Sequence, residues 1–169
     1  MQTANAHPNR SLTALFLAVA MAVVVGSALA FEHIGGYIPC ALCLEQRTPY
    51  YIGAPLMLVA ALLSRASAPS SAVRVLLAIG GLLMLYGLAL GVYHSGVEWH
   101  WWDGPASCAT AADAVTKDAG SLLGDLSSKK PPSCDAAALR VLGLSFAGWN
   151  VLVSAVLAAI AFRSAKAKD

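Results

Sequence analysis

The chain has 169 residues, 58% of them hydrophobic and 12% charged, with a mean hydropathy of +0.66. That balance excludes an ordinary soluble domain and predicts lipid as the main solvent. A formal net charge of +2 supplies no basic field, so no nucleic acid partner is expected.

In chain order, residues 12–31 form an uncharged apolar run long enough to cross a hydrocarbon core of roughly 30 Å. The competing reading is a cleavable signal peptide, with Arg10 as its positive flank and Ala28-Leu29-Ala30 as a cleavage site. The run exceeds the usual apolar region of about 7–15 residues, which favours a spanning helix. A second span is expected over 44–63, its helix starting back near Cys43 so that Glu45, Gln46 and Arg47 occupy the first turn. Pro49 and Pro55 are candidate kinks. Residues 64–74, with Arg65, Pro69 and four serines, read as a short loop, and 75–93 as a third span. Gly87 and Gly91 are four apart on it, the small-xxx-small spacing that lets helices approach closely. Residues 141–162 make the fourth span, whose Asn150 and Ser154 should face the bundle. The expected fold is therefore an all-α integral membrane protein, one four-helix transmembrane domain over 1–169 with outer loops at 32–43 and 94–140.

Charge sets its orientation. Arg10, Arg65, Arg74, Arg163, Lys166 and Lys168 lie in the termini and the 64–74 loop. Every acidic residue except Asp169 lies in the other two connections, counting Glu45 at the mouth of the second span. The positive-inside rule then places both termini in the cytoplasm and all four cysteines outside it. In the second outer loop, Trp99, Trp101 and Trp102 read as an interfacial belt. Val115, Ala119, Leu122 and Leu126 have the spacing of a short surface helix, with Asp113 and Lys117 as an i,i+4 pair, but Gly120 and Gly124 interrupt the stripe, so a polar loop is an equal alternative.

The chemistry-bearing stretch is Pro39-Cys40-Ala41-Leu42-Cys43-Leu44-Glu45-Gln46-Arg47. Four cysteines can pair in three ways, and the spacing suggests Cys40 with Cys43 and Cys108 with Cys134. A Cys-x-x-Cys bridge closes too small a loop to be a useful staple, which favours redox exchange. For Cys108 and Cys134, spacing alone supports a staple and a redox pair equally. A Cys₄ zinc site is the rival, disfavoured because the second pair is widely spaced and the compartment is oxidising. Cys43, near a helix start and one turn from Arg47, is expected to have the lowered pKa.

The Pro39–Cys43 motif followed by Arg47, the segment Tyr93-His94-Ser95-Gly96-Val97-Glu98, two cysteines in the following loop and four spans together resemble the DsbB family of bacterial disulfide bond formation proteins. The resemblance covers every cysteine and the order of the helices. It implies a membrane thiol oxidase of the bacterial inner membrane that reoxidises a periplasmic DsbA-like thioredoxin-fold protein and passes electrons to a quinone, ubiquinone or menaquinone, without a metal. Carried over residue by residue, it implies that Cys108 is attacked by the partner, Cys134 exchanges with Cys40, and Cys43 faces the quinone beside Arg47 and His94. Glu98 is assigned to the same site, although the family's best-known member has an amide there. Two alternatives remain: a quinone-linked thiol reductase of the vitamin K epoxide reductase kind, whose Cys-x-x-Cys comes late in the bundle, and a non-catalytic scaffold with structural disulfides.

Overall fold

The computed structural model describes residues 8–66, 68–106, 108 and 134–167. The proposed surface helix with its Asp113–Lys117 pair lies outside the described residues.

Four long helices dominate: α1 (Pro8–His33), α3 (Thr48–Arg65), α4 (Ser70–Glu98) and α5 (Phe146–Lys166). A short α2 (Ala41–Glu45) precedes α3. Among the described residues, three helices are long and apolar enough to cross a membrane, Arg10–His33, Ser70–Glu98 and Phe146–Lys166. The 18-residue α3 carries Pro49, Pro55 and two tyrosines and falls outside that set.

The helices alternate in direction around a ring. At one end, Ser11 Oγ donates to Ala61 O at 3.3 Å, Arg74 Nε donates to Ala165 O at 2.8 Å, and Arg10 donates to Ala167 O. The two arginines thereby satisfy carbonyls that the end of α5 leaves without intrahelical partners. At the other end, the Phe31 and Phe146 rings meet at 5.0 Å and Tyr50 reaches Asn150. The most extensive packing is α4 on α5 and α1 on α3, while α1 and α5 touch much less.

Small residues let these backbones close up. Met57 lies over Gly80 and Met21 over Gly53, and all of Leu17, Met21, Met57, Leu77 and Met84 are fully buried. A Cβ on Gly87 would sit 3.2 Å from Ser154 Oγ, and one on Gly91 would sit 3.0 Å from Val151, so the expected small-xxx-small seam faces α5. Outward, Leu12, Phe16, Val19 and Val23 on α1 and Val75, Leu82 and Leu85 on α4 are exposed. Such an apolar exterior suits hydrocarbon and is a liability in water.

Several boundaries differ from the sequence expectation. The second helix does not run back to Cys43 but breaks at Gln46–Arg47, because Pro49 lacks the N–H that would continue the α2 ladder. Arg47 is instead the N-cap of α3. The third helix is longer than 75–93: Pro69 starts it from 70, and it runs on through His94 to Glu98, so these two residues belong to the helix and not to the loop. The fourth begins at Phe146, because residues 140–145 form a two-stranded antiparallel hairpin, β1 (Arg140–Val141) and β2 (Leu144–Ser145), which departs from a wholly α fold. Leu142 and Gly143 both have positive φ, 52° and 84°, the requirement of its tight turn. Ser145 then caps α5, its Oγ accepting the Gly148 N–H at 3.2 Å. Trp99, Trp101 and Trp102 are all exposed, and Trp102 also folds back on α4, stacking with Tyr93 and donating its Nε1–H to Tyr93 O at 2.9 Å.

Candidate active site

Cys40 is the N-cap of α2, and its Sγ accepts the Cys43 N–H at 3.3 Å. The spacing of Cys-x-x-Cys makes this possible, since the cap side chain reaches the N–H three residues on. On the other side, His94 Nε2 of α4 stands 3.8 Å from Cys40 Sγ. Hydrogen bonding from Cys43, set against burial and reinforced by His94, lowers the Cys40 pKa to about 5. Cys43 moves the other way, raised first by its hydrogen bond to Cys40 and then by burial. This reverses the sequence expectation that Cys43 is the more acidic thiol. Both sulfurs lie at the helix start, but the cap position collects the donors, and Arg47 acts on Cys43 only as the smallest contribution.

His94 is buried and held from both nitrogens. Gln46 Nε2 lies 2.7 Å from its Nδ1, and Glu98 Oε1 lies 4.0 Å from its Nε2, one helical turn on. Gln46 also donates to Leu42 O at 3.3 Å and accepts from Asn150 Nδ2 at 2.7 Å. Asn150 donates in turn to Gly87 O at 3.0 Å, while its Oδ1 accepts from Tyr50 at 2.6 Å and Ser154 at 3.2 Å. A continuous polar chain therefore runs from Tyr50 of α3 and Asn150 of α5 through Gln46 at the α2–α3 junction and His94 of α4 to Cys40.

Beside it lies a cavity of about 360 Å³ between α1, the start of α3 and the start of α5. One end is polar, with Cys43, Gln46, Arg47, His94 and Glu32. The other is apolar, with Val24, Val25, Ala28, Phe31 and Val153. Arg47 at the polar end is paired with Glu32 of α1. A planar carbonyl head beside a cation and a thiol, with a long apolar tail running along hydrocarbon side chains, fits this division. The residues present thus suit a quinone.

The second cysteine pair reaches the same place. Cys108 and Cys134 are joined in a disulfide, with Cα atoms 5.7 Å apart, while Cys40 and Cys43 are free thiols. Cys40, Leu42, Val97 and Cys134 form one buried cluster, with Cys43 and Cys108 packed on it. Cys134 is 2% exposed and Cys108 half-buried, so the pair is not openly exposed: only the Cys108 side offers access. With those two cysteines bonded to each other, the Cys₄ zinc alternative has no ligand set. Cys40, Cys43 and His94 do offer three donor atoms within 4.8 Å of one another, one short of a closed structural zinc site.

All seven residues singled out from the sequence are thus gathered at one end of the bundle. Sequence reasoning missed Glu32, Gln46 and Asn150 as members. Glu32 stood one residue from the end of an apolar run and Gln46 beside Arg47, while Asn150 was read only as a bundle-facing polar residue.

A family model for "Disulfide bond formation protein DsbB" matches residues 9–163. The chain belongs to the DsbB family. Neither a curated protein nor a solved structure gives a match. As a DsbB-family chain it is a membrane protein of disulfide bond formation with disulfide oxidoreductase character. The DsbB family is in general linked to quinone and to DsbA-like partners, and the match spans all four cysteines, Arg47, His94 and Glu98.

Proposed function

We propose that this chain is a four-span thiol oxidase of the bacterial inner membrane that reoxidises a periplasmic DsbA-like dithiol protein and delivers the electrons to a membrane quinone. The observation that carries this reading is the single buried cluster holding both cysteine pairs beside a cavity that is polar at Cys43 and Arg47 and apolar toward α1 and α5. The partner's thiolate attacks Cys108, the accessible half of the Cys108–Cys134 disulfide, and Cys134 leaves as the thiolate. The partner's second thiol then displaces Cys108, so the partner gains the disulfide and this loop holds two thiols. Cys134, packed with Cys40, next exchanges with a Cys40–Cys43 disulfide: Cys108–Cys134 is restored and Cys40 and Cys43 become thiols. A bound quinone would take up two electrons as Cys40 and Cys43 close their disulfide again, with one proton coming from the Cys43 thiol and the second from water, because Cys40 enters as the thiolate.

This chain's residues divide that last step. Cys40, held as thiolate, is the nucleophile toward the Cys43 sulfur, and Cys43 on the cavity wall is the side from which electrons leave. Arg47 supplies a fixed cation at the polar end of the cavity, and His94 holds a proton next to Cys40. Glu98, buried one turn from His94, is the nearest further proton carrier in this reading.

The basic end of the bundle supports cytoplasmic termini, and the cysteine end then faces the periplasm. The test is vectorial: in proteoliposomes, reduced thioredoxin-fold partner added on the side opposite the termini should be oxidised with loss of quinone. Oxidation only from the side of the termini, or none from either, would overturn the reading.

A further inference from the structure

The hydrogen-bond chain behind His94 has a direction. Leu42 O and Gly87 O are main-chain carbonyls and can only accept. Gly87 O therefore identifies the Asn150 atom facing it as the amide nitrogen, and Leu42 O does the same for Gln46. The hydroxyl of Tyr50, at 2.6 Å from the other Asn150 atom, agrees with that atom being oxygen. With both amides so oriented, Asn150 Nδ2 donates to Gln46 Oε1, and Gln46 Nε2 donates to His94 Nδ1. A nitrogen that accepts carries no proton, so the imidazole proton sits on Nε2, the atom facing Cys40 Sγ.

We infer that Gln46 and Asn150 are positioning residues that lock His94 in its Nε2–H tautomer, so that its proton is aimed at the Cys40 sulfur. The inference deepens the thiol-oxidase reading and rests on it for the use to which the Cys40 thiolate is put. A thiolate beside an imidazole lone pair would be destabilised, whereas beside an N–H it gains a charge-assisted hydrogen bond. Glu98 Oε1, at 4.0 Å from the same Nε2, is the competing acceptor. Cys43, with Arg47 beyond it, is the other titratable neighbour of Cys40.

Asn150→Asp is the informative substitution. An aspartate keeps the acceptors for Tyr50 and Ser154 and nearly the same shape, but it cannot donate to Gln46. Gln46 then turns over, presents Oε1 to His94, and draws the proton to Nδ1. The experiment uses the full-length protein with ring-¹⁵N histidine and Cys40 and Cys43 reduced, with the His94 signals assigned by their loss in His94→Asn. Wild type should show the proton on Nε2, Asn150→Asp on Nδ1, and Gln46→Met a mixture; Ser154→Ala, which leaves the donors in place, should match wild type. In parallel, Cys40 alkylation at pH 5.5, in Cys43→Ser backgrounds, should slow roughly fourfold to fortyfold in Asn150→Asp, the equivalent of losing one hydrogen bond to a charged group. A wild-type protein protonated on Nδ1, or a tautomer unchanged in both Gln46→Met and Asn150→Asp, would overturn the inference. Because these readouts need neither quinone nor partner, they fail independently of the oxidase reading.

Discussion

Asn150 and Gln46 are 104 residues apart in sequence and 2.7 Å apart in space, Nδ2 to Oε1, the link that ties the last helix to the turn carrying the redox thiols. Bundle packing and site chemistry therefore meet at one contact. The close α4–α5 seam at Gly87 and Gly91 is what brings Asn150 within reach.

Removing the Arg47 guanidinium tests the cavity assignment. Arg47→Ala should raise the quinone KM about tenfold or more, on the scale of a hydrogen bond to a charged group, while mixed-disulfide formation at Cys108 stays near wild type. Arg47→Lys should recover only part, since an ammonium lacks the fork that can serve Glu32 and a quinone carbonyl together. Unchanged quinone kinetics in the alanine variant would leave Arg47 as an anchor for α1.

The acidity of Cys40 has a stability consequence. Its folded value of about 5 lies below the ordinary thiol value of about 8.5. A depressed folded pKa contributes stability fully above the unfolded value, and that contribution disappears as pH falls to the folded one. The reduced protein should therefore lose stability relative to its Cys40→Ser variant as pH falls from about 8.5 to 5. Thermal unfolding in detergent at stepped pH checks this, and a constant difference would contradict it.

For the second pair, the question is whether its disulfide can oxidise anything. A structural disulfide lies below about −300 mV, whereas DsbA itself is known at about −120 mV; that gap of roughly 180 mV is about 8 kcal/mol uphill. The Cys108–Cys134 potential should therefore be near or above the partner's. Cys108→Ser should abolish the mixed disulfide, and a reduced partner lacking its second thiol should trap it on the wild-type Cys108–Cys134 disulfide, freeing Cys134 as a thiol. A potential below about −300 mV would return this pair to a staple.

Gly96 sets the shape of the helix end beneath the tryptophans. A Cβ there would lie 2.0 Å from the Trp102 ring, so Gly96→Ala must displace the indole from Tyr93. The expected cost is about 1–3 kcal/mol, with a shift in tryptophan emission. Neighbouring Val97 caps the cysteine cluster, so thiol exchange should slow as well. Wild-type stability and emission would show that Trp102 does not rest there.

Helices, their order and every cysteine were legible in the sequence, because apolar run length and Cys-x-x-Cys spacing are local signals. His94 and Glu98 were legible only through resemblance to a family. Three things were not. The break at Gln46–Arg47 fell where these polar residues read as the first turn of a continuous helix, although Pro49 was its signal. Which thiol of the pair is acidic depends on the cap geometry and on His94, 54 residues away. Gln46, Asn150 and Glu32 acquire roles only through contacts that the folded bundle creates, and nothing in their local sequence separates them from ordinary polar residues.

The most direct test of the central claim is a single-turnover balance. Purified protein, a stoichiometric quinone and reduced thioredoxin-fold partner are mixed, and quinone absorbance is followed alongside partner thiols. The account predicts one quinone consumed for each partner disulfide formed, abolished by serine at any of Cys40, Cys43, Cys108 or Cys134. Partner oxidation without quinone loss, or quinone loss that survives Cys43→Ser, would contradict it.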